Sequence, residues 1–378
     1  MSEKLKILQI VGDPVGGIRK HVHDILRGLN EEEFDFFYIS SQKGDATFYV
    51  EIGDISQRIC EHLTLDIVKR PSIWDISNIV RIYRFLKTHQ INLVHGHGAK
   101  GGLYARVAGK LAGCKVVYTP HGGVVHNMFN SLEASIYRYV EKGLCPFTDL
   151  LIFESQYTAE AFKRKFTCRG VEKTVNYNGV NLPDVAVGGR DYAHRSAPAK
   201  VGVFAMLREE KGQHLALQAV KDLLMDGRLI ELHFFGNGKL KALLERDVLN
   251  FGLSDKVIFH GEVNDVYQHM SAMDFVLIPS LFESFGYVAV ESMLAGVPVI
   301  SSNAGGLKEV IPEKEGFVFE SGSIDDMKEA ILQATSASPE KLKVMTSEAK
   351  QHAGRSFSLE RMCHQLASSY KQLCIQGR

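Results

Sequence analysis

Residues 274–301 read Asp-Phe-Val-Leu-Ile-Pro-Ser-Leu-Phe-Glu-Ser-Phe-Gly-Tyr-Val-Ala-Val-Glu-Ser-Met-Leu-Ala-Gly-Val-Pro-Val-Ile-Ser. The apolar run Asp274–Ile278 predicts a buried strand, and the Pro-Ser-rich stretch after it a loop. A helix then starts near Gly286, stops at Ala-Gly, and is followed by a second strand at Val297–Ser301. Two buried strands joined by a helix cannot be antiparallel neighbours in a hairpin. They call for a parallel sheet covered on both faces.

The same alternation runs outward in both directions. Lys6–Val11, Phe34–Ser40, Leu93–His97, Val116–Thr119, Leu150–Phe153 and Thr174–Tyr177 predict strands in the first half, with helices near Ile18–Leu29, Ala99–Leu111, Leu132–Leu144 and Thr158–Phe166. Lys200–Ala205, Ile230–Phe235, Val257–Phe259, Phe275–Ile278 and Phe317–Phe319 continue the pattern in the second, with helices at His214–Met225 and Leu240–Phe251. Between Pro183 and Pro198 no apolar period survives, as in a linker. The expected class is α/β: two doubly wound, Rossmann-like domains facing across a cleft. The first spans 1–182, the linker 183–199, the second 200–356, and a helix at 357–378 packs back toward the first domain.

At 378 residues the chain exceeds what one core usually organises. With 45% hydrophobic and 23% charged residues it is an ordinary globular composition, not a disordered one. Lys+Arg and Asp+Glu are both 44, so nothing points to a nucleic-acid partner. No apolar run reaches the roughly 18 residues of a membrane span, and no secretory signal is evident, so a cytoplasmic protein is expected. Six scattered cysteines without a Cys-x-x-Cys pair suit free thiols in a reducing compartment.

Ligands of doubly wound sheets bind beyond the carboxyl ends of the strands, so residues just after each strand carry the functional reading. Glu283 and Glu291 are eight residues apart. On one continuous helix that means about 12 Å of rise and about 80° of rotation, and the carboxylates would diverge. With Gly286 at the helix start, Glu283 lies in the loop and can fold back. The amides of Gly286, Tyr287 and Val288 then form an anion site. Arg208 and Lys211, after strand Lys200–Ala205 and just before a helix N-terminus, offer fixed positive charge for an anionic ligand.

The loop-then-helix carboxylate pair, with Glu-Ser-Phe-Gly, Glu-Ser-Met-Leu-Ala-Gly-Val-Pro-Val-Ile and Gly305-Gly306-Leu-Lys-Glu309-Val around it, resembles the Glu-x7-Glu signature of retaining glycosyltransferases of family 4, which have the GT-B fold. The resemblance implies that Glu291 holds the ribose of a nucleotide sugar and Glu283 the sugar hydroxyls. Phe285, Gly286, Tyr287 and Val288 would contact the donor, and Lys211-Gly212 matches the family's phosphate-binding pair. Met206 stands where the family commonly has arginine, and Arg208 is its expected substitute. Gly16-Gly17 in the first loop and Gly236-Asn237 after a later strand are further donor contacts on this reading. His121, at the end of a strand in Tyr118-Thr-Pro-His-Gly-Gly, would contact the sugar and act in catalysis with Glu283, Lys211 and Arg208.

His95-Gly-His97 and His21-Val-His23 have metal-like spacing, but no nearby carboxylate or cysteine completes a site. They are expected to make polar contacts in loops, with His97 touching the acceptor. No Asp-x-Asp occurs, so neither a metal nor another cofactor is expected. The resulting expectation is a retaining hexosyl- or N-acetylhexosaminyl-transferase. It would use a UDP-sugar, or next a GDP-sugar, and act on a glycan or lipid-linked acceptor in bacterial envelope, polysaccharide or lipopolysaccharide synthesis. Residues 100–173 carry eleven basic against six acidic side chains, which suggests peripheral docking on an anionic membrane, at the inner face of the cytoplasmic membrane. The competing readings are a sugar-nucleotide epimerase of similar fold and an inactive nucleotide-sugar-binding subunit.

Overall fold

The computed structural model describes residues 3–42, 46–68, 70–122, 131–182, 192 and 197–375. The chain forms two compact units, Met1–Gly179 with Leu359–Arg378, and Val180–Ser358. Residues 183–191 and 193–196, most of the stretch read as a linker, lie outside the described residues.

In the first unit seven strands form one parallel sheet in the order β3-β2-β1-β4-β5-β6-β7. They are β1 Leu5–Val11, β2 Phe34–Ser41, β3 Ile59–Leu65, β4 Leu93–His97, β5 Lys115–Thr119, β6 Leu150–Phe153 and β7 Glu172–Val175. The central strands are buried on both faces, which explains why β1 reads as a largely apolar run. One face packs against the Gly16–Gly28 helix through Val22, Ile25 and Leu26 and against the Leu359–Ile375 helix through Met362, Leu366 and Tyr370. The other packs against the Trp74–His89 and Gly98–Ala112 helices through Ile82, Phe85, Tyr104 and Ala105.

The second unit repeats the plan with six parallel strands, in the order β10-β9-β8-β11-β12-β13. These are β8 Ala199–Phe204, β9 Ile230–Phe235, β10 Val257–Gly261, β11 Phe275–Ile278, β12 Val299–Ser302 and β13 Phe317–Phe319. In both sheets the order reverses beside the first strand, between β1 and β4 and between β8 and β11. That reversal opens a crevice at the carboxyl edge, where ligands of such folds bind.

The structure departs from the sequence reading in several places. β3 and the Ala46–Ile55 and Trp74–His89 helices are among the additional elements; β3 is an edge strand whose Cys60 and Glu61 face water, so it lacks the apolar run of a central strand. The expectation of six free thiols fails for Cys145 and Cys168. The fold brings their Cα atoms to 5.4 Å, within bridging range, and they are joined as a disulfide. Cys60, Cys114, Cys363 and Cys374 are free.

Candidate functional site

The carboxyl edge of the second sheet is built from backbone that only glycine accommodates. After β8 the chain makes a short 3-10 turn, Glu209–Lys211, and reverses at Gly212 with φ +70°. A Cβ at Gly212 would lie 2.0 Å from the Pro279 carbonyl oxygen, so this turn presses directly on the loop that follows β11. The Glu210 carbonyl accepts the Leu281 and Phe282 amides at 2.9 and 3.4 Å, tying the two loops together. Lys211 thereby reaches Glu283, with Nζ 2.6 Å from Oε2, both side chains partly accessible to water.

Gly286, at φ +111°, ends the second loop, and the Tyr287–Leu294 helix begins immediately after it. The first helical hydrogen bonds run from the Ala289 and Val290 amides to the Gly286 carbonyl. The amides of Gly286, Tyr287 and Val288 therefore precede the helical ladder. Glu283 lies in the loop, held there by its carbonyl accepting the Gly306 amide at 2.9 Å, while Glu291 sits half-buried on the second turn of the helix. Phe285 is buried, edge-on to Tyr287 and Phe357. Arg208 opens the 3-10 turn and lies 3.8 Å from Glu210. Gly236, at the end of β9, donates its amide to the Gly261 carbonyl, and the Asn237 carbonyl accepts the Leu207 amide at 2.9 Å. Lys211, Glu283, the 286–288 amides and Glu291 thus share one loop pair, with Gly236 and Asn237 joined to the backbone beside it.

The corresponding edge of the first sheet carries imidazoles. The register pairs Val11 with His97 and His97 with Thr119, so the ends of β1, β4 and β5 lie level. His97 donates through Nε2 to Gln9 Oε1 at 2.7 Å, and its Nδ1 lies 3.2 Å from His121 Nε2. His121 Nδ1 lies 3.1 Å from Glu154 Oε2, and the Asn178 side-chain amide donates to the same oxygen at 3.1 Å. His121 follows β5 with φ +52°, a left-handed conformation that a residue with a side chain adopts at a cost of about 1–3 kcal/mol. Beneath, His95 bridges Tyr370 and Thr119 at 2.6 and 2.9 Å. Gly16, at φ +56°, and Gly17 open the helix that carries His21.

Burial dominates the electrostatics here. It pushes His21 down to about 3, with the nearby His121 charge adding to the effect, and it holds His95 and His97 well below the usual histidine range. Burial would raise Glu154, but His121, then His21 and Asn178, outweigh it and hold the carboxyl at about 2. Glu154 is therefore an anion. With neutral His97 donating through Nε2 to Gln9, its Nδ1 is left to accept from His121 Nε2. His121 is thus held between His97 and the buried Glu154 carboxylate, and a ligand oxygen that takes its Nε2 hydrogen bond has to replace His97 as the partner.

The reading of His95, His97, His21 and His23 as loop contacts without a carboxylate is corrected. All four are buried on β4 or the Gly16–Gly28 helix. Glu154 stands beside His121, and His21, His97 and His121 each place a ring nitrogen within 4.8 Å of the others, a grouping that could hold a cation. Gln9, Glu154, Asn178 and Tyr370 were missed by sequence reasoning. Glu154 directly follows β6, so the strand-end rule applied there would have found it. Of the basic excess in 100–173, Lys100 is bound to Asp75 and Arg106 is buried on Glu141 at 2.7 and 2.9 Å. Lys173 donates to the carbonyls of Cys168 and Val171.

Comparison with known families completes the picture. Residues 190–352 match the model "Glycosyl transferases group 1", and residues 15–183 match "Glycosyltransferase Family 4". The chain belongs to the family 4, group 1 glycosyltransferases. Among curated relatives, an uncharacterized glycosyltransferase of Methanocaldococcus jannaschii is 27% identical, with 95% of both chains aligned. The UDP-Gal:alpha-D-GlcNAc-diphosphoundecaprenol alpha-1,3-galactosyltransferase of Escherichia coli is 24% identical over 98% of both. Among solved structures, Anabaena Alr3699/HepE in complex with UDP-glucose superimposes with a TM-score of 0.79 at 21% identity, covering 97% of this chain and 100% of that one. This glycosyltransferase therefore has the GT-B fold. No helix among the described residues is long and apolar enough to cross a membrane.

Proposed function

We propose that this glycosyltransferase moves a hexosyl or N-acetylhexosaminyl group from a UDP-sugar to a hydroxyl of a glycan or lipid-linked acceptor, with retention of configuration and without a metal. The observation that carries the reading is the Lys211–Glu283 pair at 2.6 Å, set before a helix whose first amides precede the ladder. On this reading Lys211 and the 286–288 amides neutralise the leaving diphosphate, as a metal does elsewhere, and Arg208 adds charge at the rim of the loop. Glu283 binds sugar hydroxyls and exchanges its partner Lys211 for the donor, Glu291 binds the ribose, and Gly236 and Asn237 border the nucleotide. His121 donates to the sugar, Gly16 and Gly17 allow close approach of backbone, and His97 lies toward the acceptor. The UDP preference is supported by the UDP-glucose complex of the Anabaena protein, and the lipid-linked acceptor by the name of the E. coli relative.

A thermal-shift panel of UDP, GDP, ADP and their sugars tests this directly, because a ligand that binds only the folded state raises the melting temperature. UDP and a UDP-sugar should stabilise the protein equally well with and without EDTA. Stabilisation by GDP alone would reassign the base, and loss of the shift in EDTA would return His21, His97 and His121 to consideration as ligands.

A further inference from the structure

The single tryptophan of the chain lies on the surface. Trp74 is 66% exposed, with Ile73 at 79%, Ile76 at 68% and Val80 at 41% around it. Together they form an apolar tip on the first turns of the Trp74–His89 helix, where four such side chains gain nothing from folding. At 100° per residue, Ile76, Ser77, Val80, Arg81, Arg84 and Lys87 fall in one sector, with Trp74 at its edge. The buried Asp75, Asn78, Ile82, Phe85 and Leu86 fall opposite.

The tip is held in place. The Asp75 carboxylate turns inward and accepts the Ser72 amide at 2.9 Å, Lys100 Nζ at 2.6 Å and the Tyr104 hydroxyl. Asp75 is the only acid of this helix and faces away from water, whereas Arg70, Arg81, Arg84 and Lys87 are exposed. No ion pair among the described residues involves any of those four cations. Aromatic and branched side chains at one end of a helix, with Arg81, Arg84 and Lys87 unpaired along the same face for about 20 Å, are the chemistry of a bilayer interface.

We propose that this face docks the protein on a membrane bearing anionic headgroups, with Ile73, Trp74 and Ile76 entering the headgroup–acyl boundary and Arg81, Arg84 and Lys87 meeting phosphates. The surface differs from the 100–173 stretch favoured by sequence, where Lys100 and Arg106 are paired with Asp75 and Glu141. The inference does not depend on the donor or on the mechanism.

Because Trp74 is the sole tryptophan, its emission reports insertion without a label. Vesicles of phosphatidylcholine with about 30% phosphatidylglycerol should shift the emission of the full chain to shorter wavelength and carry it into the pellet, whereas phosphatidylcholine alone should not. The double variant Arg81→Glu/Arg84→Glu should lower partitioning about tenfold or more, and Ile73→Ser/Ile76→Ser should abolish the shift. All the substituted side chains are exposed, so melting temperatures should match the parent. Unchanged emission and an empty pellet with anionic vesicles overturn the proposal. So does sedimentation velocity showing lipid-free dimers that Ile73→Ser/Ile76→Ser dissociates, because the face would then join two copies of the chain.

Discussion

The two sheets share a plan but finish their carboxyl edges in opposite ways. In the second unit the side chains are partly solvated and the precision lies in the backbone, where Gly212 and Gly286 permit contacts that a Cβ would prevent. In the first unit the side chains themselves are locked, His97 and His121 being buried between Gln9 and Glu154. A Lys–Glu pair open to water can exchange partners when a charged ligand arrives. A buried chain of imidazoles, each ring nitrogen already partnered, keeps its order. One edge is fitted to bind, the other to orient.

That contrast is broken most severely by acid. His21, His95 and His97 have folded values below their unfolded value near 6.5, so the unfolded chain binds more protons below that pH. Stability is full above it and declines as pH falls through the window toward the His21 value of about 3. A histidine that takes up its proton only in the unfolded chain contributes a slope of about 1.4 kcal/mol per pH unit, so stability should fall steeply as pH drops below about 6. The Glu154 contribution, from a depressed carboxyl, is present above about 4.5 and is lost as pH falls toward 2. Hydrogen exchange followed against pH should show the first unit opening before the second, whose His233 and His260 are less buried and shifted in the same direction. Parallel loss in both units would erase the distinction.

At the second edge, Glu283→Ala should reduce transfer about 10²- to 10³-fold with little change in melting temperature, since Glu283 lies partly in solvent. Glu291→Ala should instead weaken nucleotide binding, read by calorimetry. Equal donor affinity and turnover in both variants would remove this loop from the chemistry. The smallest expected effect tests orientation: Glu154→Gln should lower kcat about tenfold, leave KM for the donor within about twofold, and displace the acid limb of the pH–rate profile. A uniform fall in folded protein with an unchanged profile would make Glu154 purely structural.

Much of the architecture was legible because parallel strands buried on both faces must be largely apolar, as Leu5–Val11 is and as Phe275–Ile278 is throughout. The Tyr287–Leu294 helix was legible from its glycine, and Glu283 and Lys211 from their places after strands. β3 escaped because half of an edge strand faces water, and the Trp74–His89 helix because Ile73, Trp74 and Ile76 point outward and blur its period. The imidazole chain was not legible as a unit. Gln9, His97, His121, Glu154 and Asn178 come from five separate segments, and only the register of the sheet makes them neighbours. The disulfide was hidden for the same reason, since Cys145 and Cys168 lie on different elements 23 positions apart.

Tyr370 sits under this assembly, holding His95 and Gln9 from a helix that returns to the first sheet after the whole second unit has been laid down. During synthesis the ribosome must therefore deliver about half the chain again before the first sheet can close, leaving Phe34, Leu26 and their neighbours uncovered meanwhile. At about 5–20 residues per second that delay lasts on the order of ten to forty seconds, long enough for a chaperone to be the first partner this protein meets.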